Sequence, residues 1–116
     1  MIKIDKEGIK VTRGDRVAFD FKIKDYTFKE GDTISFRVYE KKGYDLPAVI
    51  EKIITVEEET EKVNITLSSE ETSIGEIENK SVEYWYEIEL NDDQTIIGYD
   101  ENGAKLFILY PEGVEV

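Results

Sequence analysis

Val82-Glu83-Tyr84-Trp85-Tyr86-Glu87-Ile88-Glu89-Leu90 decides how this chain folds. Val82, Tyr84, Tyr86, Ile88 and Leu90 fall on alternate positions, with Glu83, Trp85, Glu87 and Glu89 between them. An extended strand turns successive side chains to opposite faces, so a period of two sorts these residues into one apolar and one acidic face. A helix would scatter the same residues around its axis. Working outward, Arg16 to Lys24 alternates in the same way, with Val17, Phe19, Phe21 and Ile23 on one side. Thr33 to Glu40 turns Ile34, Phe36 and Val38 inward, and Glu61 to Leu67 turns Val63, Ile65 and Leu67. Weaker β-rich stretches lie at Ile9 to Thr12, Ala48 to Val56, Thr95 to Tyr99 and Ala104 to Tyr110, and the strand at 82–90 with the two that follow it reads as a meander.

Between these stretches stand reversals built from Gly, Asn and Asp: Arg13-Gly14-Asp15, Glu30-Gly31-Asp32, Lys42-Gly43-Tyr44, Asn91-Asp92-Asp93 and Asp100-Glu101-Asn102-Gly103. Only Ser68 to Ile74 has helical character, with Ser68 and Ser69 as caps and Glu70-Glu71 where acid suits a helix dipole. Short strands with one apolar face each, separated by frequent turns, predict an all-β, antiparallel two-sheet immunoglobulin-like β-sandwich with one short helical turn near residues 68–74. At 116 residues the chain is read as one domain over 1–116, since no repeat, proline-rich linker or low-complexity segment divides it. The segment Thr95 to Val116 is expected to supply an open sheet edge.

Composition narrows the chemistry. The chain has no cysteine and no histidine, which removes disulfide scaffolds, thiol nucleophiles and every histidine-based acid/base arrangement. No metal site is expected, because zinc lacks cysteine and histidine ligands and no EF-hand spacing is present, and no cofactor is expected in a chain with neither a glycine-rich phosphate loop nor a nucleophile elbow. Paired carboxylates could in principle cleave glycosides, yet 27 acids will match that spacing by chance, and nothing in the sequence builds a pocket over them. The chain is therefore not read as an enzyme. Its net charge of −12 speaks against nucleic acid as a partner. Residues 1–56 hold twelve basic and ten acidic side chains, a balance of +2, whereas residues 57–116 hold three and seventeen, a balance of −14. Met1 to Lys10 builds no apolar run, so neither a signal peptide nor a membrane span is read there.

Arg13-Gly14-Asp15 spells an adhesion tripeptide but is read as a tight turn ahead of a strand. The acidic turns at Asp92-Asp93 and Asp100 to Asn102 offer oxygens to calcium without the spacing of an EF-hand, and are read as solvated hairpin tips. Trp85 is the most informative side chain, because the alternation places its indole among glutamates on the outer face. It marks either an interface or a ring packed over cross-strand neighbours. The candidate partner-interface residues are Trp85, Glu83, Glu87, Arg37 and Tyr39.

The order of these landmarks brings in a family. Val11-Thr12-Arg13-Gly14-Asp15 with Val17 to Phe21, Gly31 to Val38, Ile65 to Thr72, Tyr84 to Leu90, and Phe107 to Gly113 resemble the N-terminal immunoglobulin-like domain of phage baseplate upper proteins and related small prophage tail proteins of Gram-positive bacteria. The resemblance covers nearly the whole chain and rests on strand and turn signatures. It implies a non-catalytic structural protein of a phage or prophage tail, made in the bacterial cytoplasm and residing in the virion or tail particle. The implied partners are other tail or baseplate proteins, or further copies of the chain in a homo-oligomer, and neither nucleic acid nor membrane. In those proteins the domain precedes longer assembly or receptor-binding regions, so the chain reads as a stand-alone relative or part of a longer protein. The alternative reading is a carbohydrate-binding or surface-adhesion β-sandwich module, in which ring faces stack on sugars.

Overall fold

A computed structural model describes residues 1–40, 47–77, 79–97 and 105–116. It contains the strands β1 (Ile2–Ile4), β2 (Gly8–Thr12), β3 (Val17–Phe21), β4 (Thr33–Tyr39), β5 (Ile50–Thr55), β6 (Val63–Leu67), β7 (Val82–Leu90), β8 (Gln94–Ile97) and β9 (Lys105–Tyr110). Seven form one sheet in the order β1-β2-β9-β7-β4-β5 with β8 also on β7, and β3 and β6 form a second sheet. The all-β expectation is met, in two sheets that share one core. Among the described residues no helix is long and apolar enough to cross a membrane.

β7 sits at the centre because its alternation supplies both faces. Tyr84, Tyr86, Ile88 and Leu90 are buried, while Trp85, Glu87 and Glu89 between them are half-buried and Glu83 is exposed. β7 pairs antiparallel with β4 along Ile34↔Leu90 to Tyr39↔Trp85, and with β9 along Val82↔Leu109 to Tyr86↔Lys105. Facing it, β3 and β6 pair from Val17↔Leu67 to Phe21↔Val63 and turn Val17, Phe21, Val63, Ile65 and Leu67 into the core. Phe36 lies between the layers. Its ring meets Phe19 edge-on at 5.7 Å and lies 5.8 Å from Tyr86 and 6.3 Å from Phe107.

Four details depart from the sequence reading. β1 was not expected; it hairpins antiparallel onto β2, pairing Ile2↔Val11 and Ile4↔Ile9. The last strands do not form a meander, because β8 pairs with Ile88–Leu90 of β7 and β9 with Val82–Tyr86 along the same side. Within Thr95–Val116, β9 is interior, held between β7 and a parallel β2, whereas among the described strands β8 pairs with β7 alone and keeps an open side as expected. The expected turns at Lys42-Gly43-Tyr44 and at Asp100 to Gly103 lie outside the described residues.

The fourth departure is at 68–74, where there is a capped turn in place of a helix. The Glu71 backbone N–H donates to Ser68 Oγ at 3.1 Å, and the Ser68 N–H donates to Glu71 Oε1 at 2.9 Å. This reciprocal pair is a capping box, as the serine and glutamate signals suggested. One helical bond follows, Thr72 N–H to Ser68 O at 3.1 Å, and then Ser73 N–H turns to Glu70 O. Only Ile74 extends an apolar stripe, too little burial to offset the cost of nucleating a helix. Gly75 then leaves the turn at φ +70, where a Cβ would stand 2.5 Å from the hydroxyl oxygen of the buried Tyr84.

A second knot of polar bonds fixes the opposite end of β4. The Asp32 carboxylate accepts from Tyr26 Oη–H at 2.6 Å, the Lys29 N–H at 2.9 Å and Asn91 Nδ2 at 3.2 Å. Asn91 in turn accepts the Thr33 N–H through Oδ1 at 2.9 Å. The Lys29 N–H first, and then the Tyr26 hydroxyl, hold the Asp32 carboxyl below its ordinary pKa against the opposing effect of burial. A carboxyl depressed on folding contributes stability above its unfolded pKa and loses it as pH falls through the lower folded value. Asp32→Asn should therefore lower the urea midpoint at pH 7, and should flatten the loss of stability that the parent shows below about pH 4. Denaturation series at pH 7 and at pH 3 check both; parallel acid limbs for parent and variant would contradict the assignment.

Candidate interaction face

The larger sheet has an outer face that the second sheet does not cover. Cross-strand pairing sets its composition. Trp85 of β7 stands between Tyr39 of β4 and Leu106 of β9, Glu87 stands beside Arg37, and Glu83 beside Ile108. All five residues expected at an interface thus share one face. Their environments differ. Glu83 is exposed, Trp85, Glu87 and Arg37 are half-buried, and Tyr39 is buried with 6% of its surface accessible.

Arg37 is the hub. Its Nε donates to Glu51 of β5 at 2.8 Å, its Nη1 to Glu89 at 3.0 Å, and its Nη2 lies 3.7 Å from Asp92. The hydrogen bond to Glu51 raises the guanidinium pKa further. Ser35, fully buried, donates to Asp92 Oδ1 at 3.0 Å, and the Tyr39 hydroxyl donates to Glu87 Oε1 at 2.7 Å. Burial first, and then the Glu87 carboxylate, pushes the Tyr39 phenol far above its usual pKa, so it remains a donor at any physiological pH. Burial, and then the charge of Glu87, raises the Glu89 pKa from its ordinary value, although Arg37 pulls it down. One cation thus organises Glu51, Glu89 and Asp92, and the face keeps a negative excess with Glu87 and Glu83 alongside.

Sequence reasoning placed Glu89 on this face without counting it among the interface candidates, and it missed Glu51, Asp92, Ser35, Leu106 and Ile108. Glu89 was legible from its own alternation. The rest depend on which strands pair and in what register, and Asp92 depends on a left-handed turn at Asn91 and Asp92, with φ of 56 and 59.

The tripeptide Arg13-Gly14-Asp15 is turned to internal bonding. Arg13 Nη2 donates to Ser73 O at 2.9 Å and to Gly75 O at 3.4 Å, and its Nε donates to Ile74 O at 3.4 Å. The Asp15 carbonyl accepts from Thr72 Oγ1 at 2.8 Å, while its carboxylate pairs with the N-terminal ammonium of Met1. Arg13 therefore satisfies carbonyls at the exit of the capped turn. Among the described residues no group of three acidic side chains is placed to hold a metal ion. A groove of about 830 Å³ runs between β5 and β6, lined by Ile54, Val56, Glu57, Thr60 and Lys62 among others.

Fold and face define a class: a small two-sheet β protein with an acidic, partly aromatic sheet surface. No protein-family model, curated protein or solved structure matches the chain.

Proposed function

We propose that this chain is a non-catalytic assembly domain of immunoglobulin-like topology, belonging to a phage or prophage tail and docking to other tail proteins through the outer face of its larger sheet. The topology is supported by strand order. β2-β9-β7-β4-β5 opposite β3-β6, with β2 parallel to β9, follows the A′-G-F-C-C′ and B-E arrangement of variable-type domains. The tail assignment rests on the ordered strand and turn motifs alone, since fold does not by itself specify function.

The observation that carries the docking role is the half-buried pair Trp85 and Leu106, backed by the buried Ile108 and rimmed by Glu83, Glu87, Glu89 and Glu51 on the face of the larger sheet away from the second sheet. Aromatic anchors surrounded by charge are the usual composition of a protein–protein hot spot. The negative rim favours a basic partner surface and sets approach and register more than affinity. Glycan binding is the weaker reading, because it requires several exposed rings in line and Tyr39 beside Trp85 is buried.

Candidate partners are the products of genes flanking this one, and the test is binding of purified chain to them. Trp85→Ala should weaken association by at least about 30-fold, the loss of one hot-spot anchor of about 2 kcal/mol. Thermal stability should change little, since Trp85 lies outside the core, and raising salt should weaken the parent complex. Equal affinity of parent and Trp85→Ala would remove this face from consideration. Flanking genes for secretion or polysaccharide metabolism would turn the search to glycans.

A further inference from the structure

The two sheets are unequal, and the shortfall leaves one margin of the core uncovered. Among the described residues β3 pairs with β6 on one side only, so its other edge presents backbone donors and acceptors with no strand partner. Opposite that edge the larger sheet continues through β2 to β1. Because Ile2 pairs with Val11 and Ile4 with Ile9, both β1 isoleucines point to the core side of the sheet. Ile2 packs against the margin of the core, and among the described residues the smaller sheet has no strand beyond β3 to extend over Ile4. Ile4 is 53% exposed, and Phe19, which points inward from β3, remains half-buried. A cleft of about 110 Å³ opens here, lined by Ile4, Ile9, Phe19, Phe21, Tyr86 and Ile88 with Asp20 as its one charged residue.

We propose that the free edge of β3 and this cleft receive an extended segment of a partner protein, alternating apolar and acidic residues, that adds to β3 as a further strand. Both deficits are met by one occupant. A strand hydrogen-bonded to β3 sits about 4.8 Å from it in the plane of the smaller sheet, above β1 and β2. Its backbone satisfies the β3 edge, and every second side chain enters the cleft over Ile4 and Phe19.

Charge selects the remaining side chains. In a chain of net charge −12, this margin is the basic one. Arg16, Lys22 and Lys24 flank β3 and Lys6 follows β1, and none of the four has an ion pair among the described residues. The nearby acids are largely engaged: Asp15 by Met1, Asp5 and Glu7 by Lys10, and Asp20 by Lys62 at 3.5 Å. The opposite margin is a poorer acceptor. There Lys52 bridges β5 to Glu71 at 3.1 Å, and the groove beside β6 is rimmed by Glu57 and Glu58. This proposal stands apart from the Trp85 face, which lies on the other side of the larger sheet.

The probe is a synthetic peptide alternating valine and glutamate, added to the full chain, with amide hydrogen exchange followed by NMR. Exchange should slow at the amides of Val17–Phe21 that do not bond to β6, and a valine/lysine peptide of equal length should bind several-fold more weakly. Ile4→Asp removes apolar surface at an exposed site and places a like charge in the cleft, so it should lower affinity about tenfold or more. A double replacement of Arg16 and Lys22 by glutamate should lower it as well, while unchanged protection of β4 and β7 certifies the fold in both variants. Trp85→Ala should bind the peptide as the parent does. Three results overturn the proposal: no slowing in β3 at millimolar peptide, equal binding by Ile4→Asp, or protection of β3 that grows with protein concentration before any peptide is added. The last would identify a second copy as the occupant.

Discussion

Gly8→Ala is expected to cost this protein roughly 3–5 kcal/mol, a large part of the 5–15 kcal/mol that ordinarily separates folded from unfolded domains. Gly8 opens β2 with φ +147, a conformation that residues with a Cβ rarely adopt, and it pairs with Leu106 in the parallel β2–β9 ladder. A Cβ built there overlaps the carbonyl oxygen of Leu106, which belongs to the backbone and cannot rotate away. Relief requires the two strands to part, and that ladder from Gly8↔Leu106 to Thr12↔Tyr110 joins the two ends of the chain. Gly31 provides the control, because it has φ +92 but nothing within 4 Å of an added Cβ. Gly31→Ala should then carry the conformational cost alone, about 1 kcal/mol. Urea denaturation of the two variants separates steric exclusion from backbone preference. Comparable losses in both would mean that β2 and β9 do not approach as closely as described.

Why that pairing escaped the sequence reading is instructive. Alternation is a local property, so β3, β4, β6 and β7 were legible to within a few residues from the positions of Phe19, Phe36, Ile65 and Tyr86. Alternation also fixed which residues of one strand share a face, and it therefore brought Trp85, Glu83 and Glu87 together, and Arg37 with Tyr39. Partnership between strands is not local. Nothing in Gly8-Ile9-Lys10-Val11-Thr12 specifies a parallel neighbour near the opposite end of the chain, nor that β8 and β9 share one side of β7. The Arg37 hub depends on that missing information, since Glu51 comes from β5 and Asp92 from a turn. β1 was missed for another reason: Ile2 and Ile4 alternate with lysine and aspartate over three residues, too short a run to separate from a polar terminus. At 68–74 the caps were read correctly, and the missing apolar stripe was the stronger signal.

Phe36→Ala is the companion prediction, with an expected loss of about 3–5 kcal/mol from transfer and cavity terms. Phe36 has no accessible surface and is the ring through which the two sheets meet: Phe19 comes from β3, whereas Tyr86 and Phe107 belong to the same sheet as Phe36. The edge-on contact with Phe19, at 74° between ring planes, should contribute about 0.5–1.5 kcal/mol beyond buried area. A double-mutant cycle with Phe19→Ala isolates that contact. Coupling near zero would mean that the layers are held by area alone. Phe36→Leu should be milder, costing about 1–2 kcal/mol, because most of the volume is retained. That variant also separates stability from recognition. Phe36 points to the core while its neighbours Ser35 and Arg37 point to the outer face, so a folded Phe36→Leu chain keeps the Arg37 hub and should retain its affinity for a docking partner. Trp85→Ala should do the reverse, keeping stability and losing affinity. A chain in which both substitutions reduced affinity equally would transmit core strain to the sheet surface, and a docking face mapped by mutation would then have to be corrected for the stability of each variant.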